Sequence, residues 1–428
     1  MNSPPVDWSL VENPCLVLSD APVGLKSDGL GFQRYVRPLV SIITGETTET
    51  PFTIGVFGPW GSGKSSLLRM IDESLAGDYA DRTVRVHFNP WVHRKEPTML
   101  LPLLHTLQDT LKEDGKQRFR EVVGRLGHVI ATLTSDVLLR KASGGNVSIE
   151  KIKEVSKQYA EQRGMVESEI RNLRKTLQAQ ADVVAENGSR LVIFIDDLDR
   201  CEPHEIIDLL ESVKLFLDLR NVIVVMAIAK NVVDRGVAVK YRDFGFEAAK
   251  VVEIGDEYLD KMIQLPLTLM PIDTGAFLGH LTLPQELEAH AHLLEEMVAP
   301  NPRRIKRVLN AYSVMRTIAQ ADPELHRLRP DVVLRLLVLR IQSPELYEAV
   351  IVRPELAAAL EDAYGGRLSP EAADHRFVER YGTTSATPMK EALKRFHRSQ
   401  EYLGAVFGGT AFAEEKEQLP RYLTMLGS

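Results

Sequence analysis

The sequence predicts an α/β fold in three layers, with a parallel sheet covered by helices on both faces. Three observations predict it. Short segments rich in β-branched residues alternate with helical patterns. Two of these segments are continuously apolar, as strands buried on both faces are. The first is followed at once by a glycine-rich turn that opens a helical pattern.

Strands are read at Phe52–Phe57, Val84–Phe88, Leu191–Ile195 and Val222–Ala229, with a fifth at Met262–Leu267. Val84–Phe88 sets Arg85 and His87 between apolar residues, an alternation that places it toward an edge of the sheet. After Pro203, the residues Ile206, Leu209, Leu210, Val213, Phe216 and Leu217 share one helical face, with the proline suited to the first turn. Residues 96–188 interrupt the pattern. Within them Ile152, Val155, Tyr159, Val166, Ile170, Leu173 and Leu177 follow a heptad seam. The preferred reading is a helical hairpin packed on its own domain, with an oligomerising coiled coil as the alternative. Leu126–Leu139 reads as a buried or amphipathic helix. From about Asp273 the chain reads as helical. Asn301-Pro302 starts a helix whose face carries Ile305, Val308, Leu309, Tyr312 and Met315. Further helices are expected at Pro330–Ile341 and Pro354–Tyr364, and loops over Gly365–Pro388. The expected organisation is an N-terminal lead-in over 1–50, a core over 51–270 holding the insertion, a helical lid over 271–345 and a helical tail over 346–428.

Composition excludes some function classes. Lys and Arg number 52 against 59 Asp and Glu, a net charge of −7, which does not suit a nucleic-acid coat. The basic clusters Arg171–Lys175 and Arg303–Arg307 give weak support to a nucleic-acid-dependent motor. Cys15 and Cys201 are the two cysteines, too few for a disulfide framework or a thiolate metal site. The longest unbroken apolar run, Val222–Ala229, has eight residues, against the roughly 18 needed to cross a bilayer. No transmembrane segment is therefore expected. The first basic residue is Lys26, after Asp7 and Glu12, unlike an export leader, so a cytoplasmic location is expected.

Gly58-Pro59-Trp60-Gly61-Ser62-Gly63-Lys64-Ser65 matches G-x-x-x-x-G-K-[ST], and Ser66 continues the motif into a helix. Glycines let the backbone wrap phosphates and aim its N–H groups at them, while the helix N-terminus adds positive potential. Lys64 would reach the β- and γ-phosphates and Ser65 would ligate Mg2+. The strand Leu191–Ile195 ends in Asp196-Asp197-Leu198-Asp199-Arg200. Asp196 would hold Mg2+ through water, and Asp197 would orient or polarise the attacking water, with Asp199 as the alternative. Arg200 is read as a partner of these acids. At the tip of the next strand, Lys230 or Asn231 would face the γ-phosphate as a sensor, or else cap the following helix.

These residues resemble the KAP family of P-loop NTPases, within the STAND-like branch of the additional-strand P-loop ATPases. Besides Gly58–Ser65 and Asp196–Cys201, the resemblance rests on His87-Phe88-Asn89-Pro90-Trp91, on Asp260-Lys261-Met262-Ile263-Gln264-Leu265-Pro266 and on Asn301-Pro302-Arg303-Arg304-Ile305-Lys306-Arg307. Asp20-Ala21-Pro22 and Asp28-Gly29-Leu30-Gly31-Phe32 resemble the family's segment ahead of the loop. It covers about residues 18–345. It implies a sheet of strand order 5-1-4-3-2 and binding and hydrolysis of ATP with Mg2+, coupled to conformational change or to assembly with a protein partner or a second copy. It further implies a basic sensor at Arg303 and Arg307 on the lid, against which stands the reading that both are solvated. Bacterial relatives suggest anti-phage defence. Asn89 and Trp91 are read as packing residues beneath the site. Many relatives carry membrane helices between the two motifs and an acidic residue where this chain has Lys230. The rival to an ATPase is a nucleotide-gated scaffold with little or no turnover, motivated by Lys230 and the helical insertion.

Overall fold

The computed structural model describes residues 17–110 except 95 and 97, 168–240 except 169 and 187, 248–321, 328–364 and 400–427. Leu126–Leu139, the seam positions Ile152 to Val166 and the loop expected over Gly365–Pro388 lie outside the described residues. The chain divides into two compact units. One is Pro22–Met270, and the other is Pro271–Ser428 together with the described part of Met1–Ala21.

The first unit is built on five parallel strands, β1 (Phe52–Phe57), β2 (Thr83–Phe88), β3 (Arg190–Ile195), β4 (Val222–Ile228) and β5 (Leu265–Thr268). Their spatial order is β2-β3-β4-β1-β5, the expected 5-1-4-3-2 read from the other edge. The hydropathy of each strand follows its place. All seven residues of central β4 are buried, whereas β2 lies at an edge with His87 exposed. β5 begins later than Met262 because the preceding helix (Ala248–Met262) keeps its period to the end, burying Leu259 and Met262. Pro266 is tolerated because β5 is the other edge and pairs with β1 alone.

Helices cover both faces. We number them α1 (Gln33–Thr44), α2 (Lys64–Asp78), α3 (Leu100–Thr110), α4 (Pro203–Phe216), α5 (Lys230–Lys240) and α6 (Ala248–Met262). α2 packs on β4 and β2, with α1 against it. On the opposite face Leu191, Ile193 and Ile195 of β3 and Val222, Val224, Met226 and Ile228 of β4 share one core with α3 to α6. Leu173, Leu177, Ala181 and Val184, from the helical stretch 170–186, complete that core. The described end of the insertion therefore packs on its own sheet. α4 follows its predicted face, and its start is fixed by a reciprocal cap between Glu202 and Glu205.

The second unit is helical. α7 (Pro302–Ala321) packs on α8 (Pro330–Gln342). Asn301 caps α7, its Oδ1 accepting from the backbone N–H groups of Arg303 and Arg304 at 3.1 and 3.2 Å. Ile305, Val308, Leu309 and Tyr312 of α7 are buried, as are Val332, Leu336 and Leu339 of α8. The segment 18–20 lies along the polar side of α7. Leu18 exchanges two hydrogen bonds with Asn310, Lys306 donates to the Ser19 carbonyl at 2.8 Å, and Arg303 pairs with Asp20 at 3.2 Å. No helix among the described residues is long and apolar enough to cross a membrane.

α2 is tied to the sheet edge by charge. Asp72 Oδ1 lies 3.0 Å from Arg85 Nε and 3.3 Å from His87 Nε2, both on β2. Burial raises the Asp72 carboxyl, but His87 and Arg85 outweigh it, and the net shift is downward. An aspartate lowered in the folded state stabilises the fold above its unfolded pKa of about 4, and that contribution is lost as pH falls through the folded value. Asp72→Asn is therefore expected to destabilise the protein by about 1 kcal/mol at pH 7. In denaturant titrations the difference from wild type should be full above about pH 4 and shrink as the pH is lowered below it.

Candidate functional site

The site forms at the ends of β1 and β3, which flank β4 in the sheet. Gly58 N–H donates to the Ile228 carbonyl at 3.3 Å, fastening the start of the loop to β4. Gly61 and Gly63 then take left-handed backbone angles, φ 82° and 99°, which side-chain-bearing residues rarely adopt. A Cβ at Gly63 would also lie 2.7 Å from Phe32 Cε2 and 3.0 Å from Leu30 Cδ1. The loop is thus shaped from beneath by the lead-in segment. That segment is seated on α2: Val23 N–H donates to Ser66 Oγ (3.2 Å), Leu25 N–H to Glu73 Oε2 (2.8 Å), and Arg69 Nη1 to the Pro22 carbonyl (2.9 Å). Ser66 therefore faces the lead-in, and Trp60 stands outward at the rim, 66% exposed.

Lys64 is buried at 6% exposure. Its Nζ donates to the carbonyls of Gly58 and Pro59 at 3.0 and 3.2 Å and lies 3.4 Å from Asp199 Oδ2. Ser65 Oγ donates to Asp196 Oδ1 at 3.1 Å. Asp197 stands in the left-handed region, φ 58°, which aspartate tolerates better than most residues. Its two carboxylate oxygens are taken separately, Oδ2 by Asn89 Nδ2 at 2.9 Å and Oδ1 by Arg200 Nε at 2.8 Å. The Arg200 guanidinium lies over the Trp91 ring at 5.4 Å, and Arg94 approaches the same ring at 5.6 Å.

Two readings of single residues change. Asn89 is joined to the acid after β3 and does not serve packing alone. Trp91 is 38% exposed and carries two guanidinium groups. Neither role is legible in sequence, because Asn89 and Asp197 meet only through the pairing of β2 with β3. Arg200 is the partner of an acid, as expected. Lys230 opens α5 and pairs with Asp234 at 3.2 Å. Arg303 and Arg307 sit on α7 in the other unit.

Burial is the main cause that raises the Asp196 carboxyl above its ordinary value, and the hydrogen bonds from Ser65 and the Asp197 N–H oppose it. Burial and the nearby acids push the Cys201 thiol up to about 12, so it is no thiolate nucleophile. The donor set fits phosphate and a hard cation. Ser62 Oγ is buried in the loop with no hydrogen-bond partner, and the Ser65 hydroxyl and Asp196 carboxylate converge as oxygen ligands. Among the described residues no three His, Cys, Asp or Glu side chains converge as a metal cage, so a cation here would draw further ligands from phosphate and water.

The sequence profile of the KAP family P-loop domain matches residues 32–319. The chain belongs to the KAP family of P-loop NTPases. Its relatives include the phage T7 exclusion protein of Escherichia coli (strain K12), 24% identical over 394 residues covering 84% of this chain and 50% of that one. An uncharacterized protein of Methanocaldococcus jannaschii is 23% identical over 161 residues, 31% of this chain and 83% of its own. The KAP chain thus spans half the length of the first of these. A chain from the structure of Drosophila ORC bound to DNA aligns with 85% of this chain and 81% of its own, at 14% identity and TM-score 0.29, too low a score to carry an argument.

In this KAP chain the Gly63 backbone and Phe32 make one local demand. Gly63→Ala is expected to cost about 1–3 kcal/mol through the left-handed angle and the clash together. Thermal melting should show it as a midpoint several degrees lower.

Proposed function

We propose that the chain binds ATP with Mg2+ at Gly58–Ser65 and hydrolyses it, coupling occupancy to conformational change or assembly. The observation that carries this reading is the convergence of a buried Lys64, the Ser65 hydroxyl and Asp196 at the end of a glycine loop. Lys64 would stabilise charge on the β- and γ-phosphates, while Ser65 and Asp196 would hold Mg2+, which supplies further charge neutralisation there. Asp197 would accept a proton from a water whose oxygen attacks the γ-phosphorus. The bond from that phosphorus to the bridging oxygen breaks, and ADP leaves with the oxygen.

Arg303 and Arg307 belong to the proposal as cations that report the γ-phosphate from a lid over 271–345. The Arg303–Asp20 pair is what such a sensor would have to exchange. The name of the Escherichia coli relative suggests exclusion of phage as a context, and a partner protein or second copy would receive the signal.

One observation favours a second reading, a nucleotide-gated scaffold with little turnover. Both oxygens of Asp197 are already engaged, by Asn89 and Arg200, and a base so held is poorly placed to take a proton. That reading expects ATP to change the protein's mass in solution without phosphate release.

Phosphate release decides between them. Lys64→Ala and Asp197→Asn are each expected to lower the rate at least 100-fold, the scale on which such groups act. Equal rates for wild type and both variants would remove the ATPase assignment.

A further inference from the structure

Three carboxylates follow β3, and each has a different partner. Asp196 meets Ser65, Asp197 meets Asn89 and Arg200, and Asp199 meets Lys64. The last pairing is the one the P-loop does not require. Asp199 Oδ2 lies 3.4 Å from Lys64 Nζ, and the two side chains are 11% and 7% exposed. The Gly58 and Pro59 carbonyls give the ammonium partial charges only, whereas Asp199 gives it a full one. A nearly buried ammonium needs such a counter-charge, and a bound phosphate would supply the same charge to the same atom.

We propose that Asp199 is an internal surrogate for phosphate: it holds Lys64 in the ligand-free loop, and a nucleotide's phosphates bind by taking the ammonium from it. The inference rests on the reading of Gly58–Ser65 as a nucleotide phosphate site and adds to it an acid that sets affinity. It assigns to Asp199 a positioning role on Lys64, distinct from proton transfer. Breaking a nearly buried ion pair opposes binding, and Asp199 also repels an incoming phosphate through space. Both effects act in one direction: wild-type affinity is held below what the loop alone could reach.

The turn that carries Asp199 also reaches Asp197. Leu198–Arg200 form one short turn that closes on Asp197, with Arg200 N–H donating to the Asp197 carbonyl at 3.2 Å. Asp199 and Arg200 are neighbours on it, the first paired with Lys64 and the second with the Asp197 carboxylate. The pair that holds Lys64 and the pair that holds the Asp197 carboxylate are thus carried by consecutive residues of one turn.

Calorimetric titration of ADP with Mg2+ into the full chain tests this, using wild type, Asp199→Asn, Asp199→Ser, Asp199→Glu and Lys64→Ala. Asp199→Asn and Asp199→Ser are expected to bind ADP at least tenfold more tightly than wild type, the low end of what a nearly buried charge pair is worth. Asp199→Glu, which keeps the charge, should stay nearer wild type. Without ligand the two neutral variants should melt below wild type, and saturating ADP should narrow the gap, as linkage requires when the variant binds more tightly. Neutral variants that bind no more tightly than wild type, or more weakly, would overturn the proposal while leaving the phosphate site standing. Wild type binding no better than Lys64→Ala would overturn the phosphate site itself, and the surrogate with it.

Discussion

A lysine ammonium withdrawn from water must be surrounded by oxygen atoms, and much of the first unit follows from meeting that need at Lys64. Two of the oxygens are the carbonyls of Gly58 and Pro59, in a loop where Gly61 and Gly63 take left-handed angles. The third is a carboxylate oxygen of Asp199, delivered from a separate strand. The carbonyls bring partial charges to the ammonium, and the acid adds a full counter-charge.

The sheet makes the meeting possible. Ile228 at the end of β4 holds the first residue of the loop, while the Phe88 carbonyl at the end of β2 accepts from Asp196 N–H at 3.2 Å. The loop, the acids and Asn89 are thereby set at one sheet edge by backbone hydrogen bonds before any side chain is considered. α2 presents Lys64 and Ser65 at its N-terminus, and the same helix is anchored through Asp72 to β2 and through Glu73 and Ser66 to the lead-in. Lys64 is buried, and Ser65, Asn89 and the aspartates are short, so their positions follow the elements that carry them.

Much of this was legible in the sequence. The P-loop is a local motif whose spacing carries its own geometry, and the apolar runs of β3 and β4 mark strands buried on both faces. Their order followed from the family resemblance. The meeting of Asn89 with Asp197 and of Asp199 with Lys64 was not legible, because each joins residues brought together only by strand pairing. β5 was misplaced because Met262 and Ile263 suit a helix end and a strand start equally, and the helix keeps its core-facing period through Met262. Arg303 shows the same limit, since its pairing with Asp20 depends on a segment nearly three hundred residues away lying along α7.

A crystal structure of the protein grown with ADP and Mg2+ would show whether Lys64 exchanges a protein carboxylate for a phosphate. The expected result is the β-phosphate within Gly58–Ser65, with Lys64 Nζ on its oxygens and Asp199 withdrawn from hydrogen-bonding distance. Nucleotide bound elsewhere, or Lys64 still paired with Asp199 beside an occupied loop, would contradict it.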